Sequence, residues 1–155
     1  MHFMNEIKKP IHREDLMPVL RSGIFMSITG GLIIGSLHLL FMYFSRISLT
    51  WLFLLILAHL IAKKISVAYR EYHVIYALLS VFFFIFAFYL MNLTLSIGIY
   101  FISNVISFQI VLSLLNPLLY FRFLNPLGSG FFQIGNILDI VFFIVGIIYS
   151  YRFSK

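Results

Sequence analysis

The chain has 155 residues, of which 62% are hydrophobic and 10% are charged, and its mean hydropathy is +1.04. A soluble domain of this length cannot hide so much apolar surface, so the composition excludes a soluble globular protein. The absence of cysteine excludes disulfides, thiolate chemistry and cysteine-ligated metals. The formal net charge of +6 predicts contact with lipid head groups rather than with nucleic acid, because basic residues flank membrane spans.

One uncharged run extends over 48 positions, from Val74 to Phe121. It is more than twice as long as the roughly 20 residues that cross a hydrocarbon core, so it must cross and return. Only helices and closed barrels satisfy their own backbone in lipid, and the run lacks the alternating pattern of a barrel strand. The sequence therefore predicts an all-α, polytopic transmembrane helical bundle embedded in a lipid bilayer.

The predicted elements begin with a charged cytoplasmic segment over residues 1–22. A transmembrane bundle over residues 23–155 follows, with five predicted spans at about 23–44, 48–62, 74–91, 98–116 and 134–151. The polar stretch from Asn92 to Gly98 is predicted to turn the long uncharged run. Pro117 is predicted to end the fourth span, because proline cannot donate to the helical ladder.

Lysine and arginine counts predict the orientation of the spans. A cytoplasmic amino terminus places eight of these residues inside and three outside, which favours five spans with the carboxyl terminus outside. The eight are Lys8, Lys9, Arg13, Arg21, Lys63, Lys64, Arg70 and Arg122, and the three are Arg46, Arg152 and Lys155. The second span has an apolar core of only about 15 residues, so four spans with an internal carboxyl terminus remain the alternative.

Small residues recur at every fourth position of the first predicted span. They are Gly23, Ser27, Gly31 and Gly35. Such a stripe lets another helix approach closely, which favours helix packing in lipid. The packing partner is one of the protein's own spans, a second copy of the chain or another membrane protein.

Asp139 is the one acidic residue inside a predicted span, and it is our main functional candidate because an unpaired carboxylate in lipid is costly. Estimated depths place Asn116 and Asn136 in the same inner polar layer. The alternative is a structural role, in which Asp139 is hydrogen-bonded to Asn or Ser or lies at the wet boundary.

The two histidines of the predicted spans lie at other depths. His59 and Gln109 are predicted to pair at the midplane, whereas His38 lies further out and is predicted to meet Asn104. A structural hydrogen bond is the expected role of each histidine. The polar groups lie at different depths and show no metal-ligand spacing, so we predict no metal and no cofactor.

The leading hypothesis is a non-enzymatic accessory or scaffold subunit that packs through the first span in a cytoplasmic (inner or plasma) membrane. The amino-acid usage suits an AT-rich bacterial genome. Catalytic groups are too few and too scattered to assemble an active site. The alternatives are a proton-linked small transporter or channel that uses Asp139 and His59, and a membrane-embedded enzyme that modifies lipid.

Overall fold

The computed structural model describes residues 11–46 and 48–155, and these residues form helices joined by turns, without strands. The helices in chain order are α1 (Arg13–Ser45), α2 (Thr50–Ser66), α3 (Val74–Ile102), α4 (Phe108–Leu114) and α5 (Ile134–Phe153). Two 3-10 turns, Pro117–Leu119 and Arg122–Leu124, lie between α4 and α5. The all-helical prediction is confirmed for the described residues.

Three of these helices, α1, α3 and α5, are long and apolar enough to cross a membrane. The fourth long helix, α2, has 17 residues and is therefore about 25 Å long. The short helix α4 has seven residues, or about 10 Å, and cannot cross a core of about 30 Å. The five predicted spans are not confirmed.

The four long helices form a bundle in which α1 and α3 run in one direction. Gly23 faces Phe83 and Gly35 faces Thr94, so residues later in α1 contact residues later in α3, and the two helices are parallel. The helix α2 runs the opposite way across α1, because His38 of α1 contacts Phe53 near the start of α2. The bundle core contains the buried faces of all four helices, with aromatic side chains between α3 and α5.

The helix α5 runs in the same direction as α2. Trp51, near the start of α2, contacts Phe142 in the middle of α5, and His59 contacts Tyr149 further along both helices. The carboxyl end of α5 therefore lies beside the loop between α2 and α3. The five-span prediction has the first and last spans run in the same direction, whereas α5 runs opposite to α1. The helix α4, between α3 and α5, is too short for the crossing that the prediction places there.

One end of the bundle collects positive charge, and we call it the basic end. Asp15 of α1 accepts hydrogen bonds there from the backbone N–H groups of Arg70 and Glu71, at 3.3 and 3.4 Å. Lys155 lies over the ring of Tyr72, with its Nζ 5.7 Å from the ring centre. The start of α1, the α2–α3 loop and the end of α5 are thus neighbours.

Residues 103–133, which we call the connecting segment, begin at the opposite end, the connector end, and fold back along α3, where Phe121 contacts Phe88. The predicted turn over residues 92–98 is wrong, because α3 continues through it to Ile102. Two polar side chains of that stretch bond within the helix: Asn92 donates to the oxygen of Phe88 and Thr94 donates to the oxygen of Leu90. Polar residues that satisfy themselves in this way do not end a helix in apolar surroundings.

The helix α1 begins at Arg13, inside the segment predicted to precede the first span. Pro18 lies within its second turn and does not end it. Residues 1–10, which include Lys8 and Lys9 of the predicted cytoplasmic segment, lie outside the described residues, as does Ile47.

A candidate binding cavity beside Asp139

Asp139 lies in the second turn of α5 and faces a cavity of about 280 Å³ at the connector end. The cavity lies between α2, α3, α5 and the connecting segment. Its other lining residues are Thr50, Leu54, Phe88, Asn92, Leu119, Tyr120 and Phe123. One carboxylate, one amide and two hydroxyl groups therefore share a small space.

Local structure fixes the neutral polar groups of the cavity. Thr50 is the first residue of α2, and its hydroxyl lies 2.8 Å from the hydroxyl of Ser48. Asn92 is held by its bond to the backbone oxygen of Phe88, at 2.9 Å. Tyr120 donates to the backbone oxygen of Leu114, also at 2.9 Å. These bonds orient the side chains around the space that Asp139 faces.

The phenol of Tyr120 stays neutral in this setting. Burial raises the pKa of Tyr120 above its ordinary value of 10.0. A neutral phenol is both a hydrogen-bond donor and an acceptor. Tyr120 therefore adds hydrogen-bonding capacity to the cavity without adding a second negative charge.

An aromatic cluster separates the cavity from the basic end. The ring of Phe143, one turn after Asp139, lies 5.0 Å from Phe88 and 5.4 Å from Phe123 between ring centres. Phe121 joins the same cluster from the connecting segment, and Phe84 joins it from α3. The polar groups beside Asp139 thus meet a wall of aromatic rings in the direction of the basic end.

No hydrogen bond or ion pair from another described residue reaches the carboxylate of Asp139. An intramembrane carboxylate is costly unless it is neutralised or paired. A proton or an incoming cationic group therefore has a favourable place in this cavity.

The predicted inner polar layer is not formed, because the two asparagines bond elsewhere. Asn136 donates from its Nδ2 to the backbone oxygens of Phe123 and Phe131, at 3.0 and 3.1 Å. Asn116 accepts a bond from the N–H of Leu118 and caps a 3-10 turn. Both asparagines hold the backbone of the connecting segment and neither bonds to Asp139.

The predicted pair of His59 and Gln109 is wrong. The Nδ1 of His59 lies 2.9 Å from the hydroxyl of Tyr149, on the exposed side of α2 and α5. Gln109 is an exposed residue of α4 at the connector end. Asp139 and Tyr149 are ten positions apart on one helix, or about 15 Å, so His59 and Asp139 do not share a site.

His38 is buried between α1 and α2 and does not meet Asn104 as predicted. Its ring centre lies 4.9 Å from that of Phe53, and its Nε2 lies 3.4 Å from the hydroxyl of Ser48. Its Nδ1 has no hydrogen-bond partner within the described part of the chain. Asn104 instead takes a left-handed conformation, with φ of 54°, in the turn after α3.

The small stripe of α1 faces α3 of the same chain. A Cβ atom at Gly31 would lie 2.9 Å from the backbone oxygen of Ala87, and one at Gly35 would lie 2.6 Å from that of Met91. Ser27 donates to the oxygens of Gly23 and Phe83. The four residues of the stripe are buried in this contact.

Sequence reasoning missed Thr50, Asn92 and Tyr120 as neighbours of Asp139. Asn92 is one of the few strongly polar residues in the 48-position uncharged run, and that rarity was a usable signal. The sequence pattern instead places Asn92 in a predicted turn. Thr50 and Tyr120 carry no such signal, because only the packing of α2 and the connecting segment places them here.

No three potential metal-ligating side chains come together within residues 11–46 and 48–155. Comparisons with protein-family models, with curated proteins and with solved structures find no match to this chain.

Proposed function

We propose that the protein crosses a membrane four times, through α1, α2, α3 and α5, with its basic end in the cytoplasm. The support is the charge distribution over the helix directions. Among the described residues, seven lysines and arginines lie at the basic end and two, Arg46 and Arg122, lie at the connector end. The seven are Arg13, Arg21, Lys63, Lys64, Arg70, Arg152 and Lys155. Positive charge is enriched on the cytoplasmic side of membrane proteins.

Within this topology we propose that the protein is a non-enzymatic accessory subunit of a membrane complex in the cytoplasmic membrane of a bacterium. The partner inserts a lysine or arginine side chain into the cavity beside Asp139. The single observation that carries this proposal is that the carboxylate of Asp139, beside a cavity of about 280 Å³, has no hydrogen-bond or ion-pair partner among the described residues. Intramembrane acids characteristically pair with a group of opposite charge.

The size of the cavity supports a side chain as the occupant. Sites for drug-sized ligands enclose roughly 300–1,000 Å³, so this cavity lies just below that range. Its neutral groups, on Thr50, Asn92 and Tyr120, can accept hydrogen bonds from the several N–H groups of an ammonium or a guanidinium. The small face of α1 is occupied by α3, so we place the partner at the cavity and not at the stripe.

Site-specific photo-crosslinking tests the proposal. A photoreactive amino acid in place of Leu119, which lines the cavity, should crosslink one partner membrane protein in cells. Asp139→Asn should lower that yield at least tenfold and Asp139→Glu should keep it, because only the glutamate preserves the charge. The matched control places the same photoreactive group at Ile148, on the exposed face of α5, where Asp139→Asn should change nothing.

Two results of that experiment would contradict the proposal. One is a Leu119 crosslink that persists unchanged in the Asp139→Asn protein. The other is a partner whose contacting segment contains no lysine or arginine when it is mapped by mass spectrometry. Expression and thermal stability of each variant are measured in parallel, so that loss of folding is recognised.

A proton-linked small transporter or channel is the second candidate, and the same unpartnered carboxylate favours it. This function requires a proton path from Asp139 to the basic end that passes the aromatic cluster around Phe143. Proteoliposomes loaded with a pH-sensitive dye test it. Proton flux that disappears in Asp139→Asn and survives in His59→Ala would favour transport over the accessory role.

A further inference from the structure

A second cavity lies at the basic end, on the exposed side of α1 next to the end of α2. Its volume is about 810 Å³. Its lining is apolar along α1, where Ile24, Phe25 and Ile28 are exposed, and basic at Arg21 and Lys64. We call this cavity the α1 groove.

The position of the two cations relative to the apolar lining is regular. Arg21 directly precedes a stretch of α1, residues 22–45, that contains no Asp, Glu, Lys or Arg. Lys64 belongs to the last turn of α2, which runs in the opposite direction. Both charges therefore lie where the apolar part of their helix meets its polar end.

The described lining of the groove carries no negative charge. None of the lining residues in that part of the chain is an aspartate or a glutamate. The one ion pair between described side chains joins His12 to Glu71, so neither Arg21 nor Lys64 is neutralised by a salt bridge within the described part of the chain. The hydroxyl of Thr29, also in the lining, is bonded to the backbone oxygen of Phe25. Arg21 and Lys64 therefore attract an anion to the basic part of the groove.

We propose that the α1 groove binds one anionic phospholipid. Its phosphate contacts Arg21 and Lys64, and an acyl chain lies along Ile24, Phe25 and Ile28. A phosphate-bearing head group with an attached hydrocarbon chain complements both the basic and the apolar lining residues. A soluble anion complements only the basic ones. Basic pockets between membrane helices commonly bind acidic lipid head groups on the cytoplasmic side.

This inference requires a surrounding bilayer but not the use proposed for Asp139. Asp139→Asn should leave lipid binding at the groove unchanged, so the two proposals fail separately.

Native mass spectrometry of the full chain in detergent tests the proposal. Phosphatidylglycerol should bind the wild-type protein in a 1:1 complex at least tenfold more tightly than phosphatidylcholine with the same acyl chains. Glycerol phosphate, which has the charge and no chains, should not compete at equal concentration. These wild-type comparisons hold whether or not any variant folds.

Charge-removing variants then locate the site. Arg21→Gln and Lys64→Gln should each weaken phosphatidylglycerol binding by about fivefold, as expected for one basic residue near an anionic lipid. Lys63→Gln removes the same charge at the adjacent exposed position outside the groove lining, and it should leave the affinity unchanged. Equal affinity for the two lipids, competition by glycerol phosphate, or an equal loss in Lys63→Gln would each overturn the proposal.

Discussion

The hydroxyl of Tyr69, in the loop between α2 and α3, donates a hydrogen bond to the backbone oxygen of Ser154 at the end of α5. The bond joins residues 85 positions apart in the chain. It places the carboxyl end of α5 beside the turn that α2 and α3 share, and thereby gives α5 its direction. The start of α1 and the end of α5 therefore lie at the same end of the bundle.

The first prediction concerns this topology. A reporter enzyme that is active only outside the cytoplasm should be inactive when it is fused after Lys155. The same reporter inserted after Gly130, in the connecting segment, should be active, because that segment lies at the opposite end of the bundle. An active fusion after Lys155 would restore the five-span arrangement and reject the four-crossing one.

Tyr69 gives a pH-dependent prediction. Burial raises the pKa of Tyr69 above its ordinary value of 10.0, so the folded protein holds the phenolic proton more tightly than the unfolded chain does. The resulting stability is fully present below the unfolded pKa and is lost as the pH rises through the folded pKa. Tyr69→Phe should destabilise the protein by about 1 kcal/mol near neutral pH, since it removes one hydrogen bond.

The difference in stability between wild type and Tyr69→Phe should then shrink above about pH 10, where the phenol of the unfolded chain ionises first. Thermal unfolding in detergent over a series of pH values measures this difference. Tyr43→Phe is the control, because Tyr43 is 61% exposed and should show little difference at any pH. If the stability difference between wild type and Tyr69→Phe stays constant up to strongly alkaline pH, the role assigned to the phenol is rejected.

Close packing of α1 against α3 predicts opposite effects for two glycine substitutions. A Cβ at Gly35 would lie 2.6 Å from the backbone oxygen of Met91, so Gly35→Ala must separate two backbones and should cost about 1–3 kcal/mol. A Cβ at Gly135 would meet no atom within 4 Å, and Gly135→Ala should stabilise α5 by about 0.5 kcal/mol. Unfolding in mild detergent with increasing denaturant compares the two. Equal effects would mean that α1 and α3 are not in close contact.

The aromatic cluster predicts that one substitution in α5 loosens the connecting segment. Phe143 is buried against Phe121 and Phe123 of that segment. Phe143→Ala should therefore lower stability by about 3 kcal/mol and speed amide hydrogen exchange over residues 117–124. Phe132→Ala is the matched control, because Phe132 is 82% exposed. Unchanged exchange in the Phe143→Ala protein would show that the cluster does not hold the segment.

The sequence predicted helix content well because long uncharged runs have few alternatives in lipid. It failed at residues 92–98, where polar side chains suggested a turn. Asn92 and Thr94 instead return their hydrogen bonds to α3, which the residue types alone do not reveal. The predicted turn adds one crossing before the last span, so the prediction has that span run parallel to the first, whereas α5 runs opposite to α1.

The candidate site was predicted in part for a related reason. Asp139 was identified because a lone carboxylate in an apolar helix is conspicuous in a sequence. The neighbours of Asp139 were not predicted, because depth estimates depend on the direction assigned to each span. The structure has α5 run opposite to the direction that the five-span prediction gives it. In the structure, Asp139 lies level with Thr50 and Asn92 at the connector end, far from His59.

The short length of α2 has a consequence for the surrounding lipid. In the four-crossing arrangement, a 17-residue helix of about 25 Å must match a hydrocarbon layer of about 30 Å. The neighbouring helix α1 has 33 residues and far exceeds that layer. If the four-crossing proposal holds, we expect the bilayer to be thinner beside α2 than beside α1, and we expect the protein to favour thin regions of the membrane.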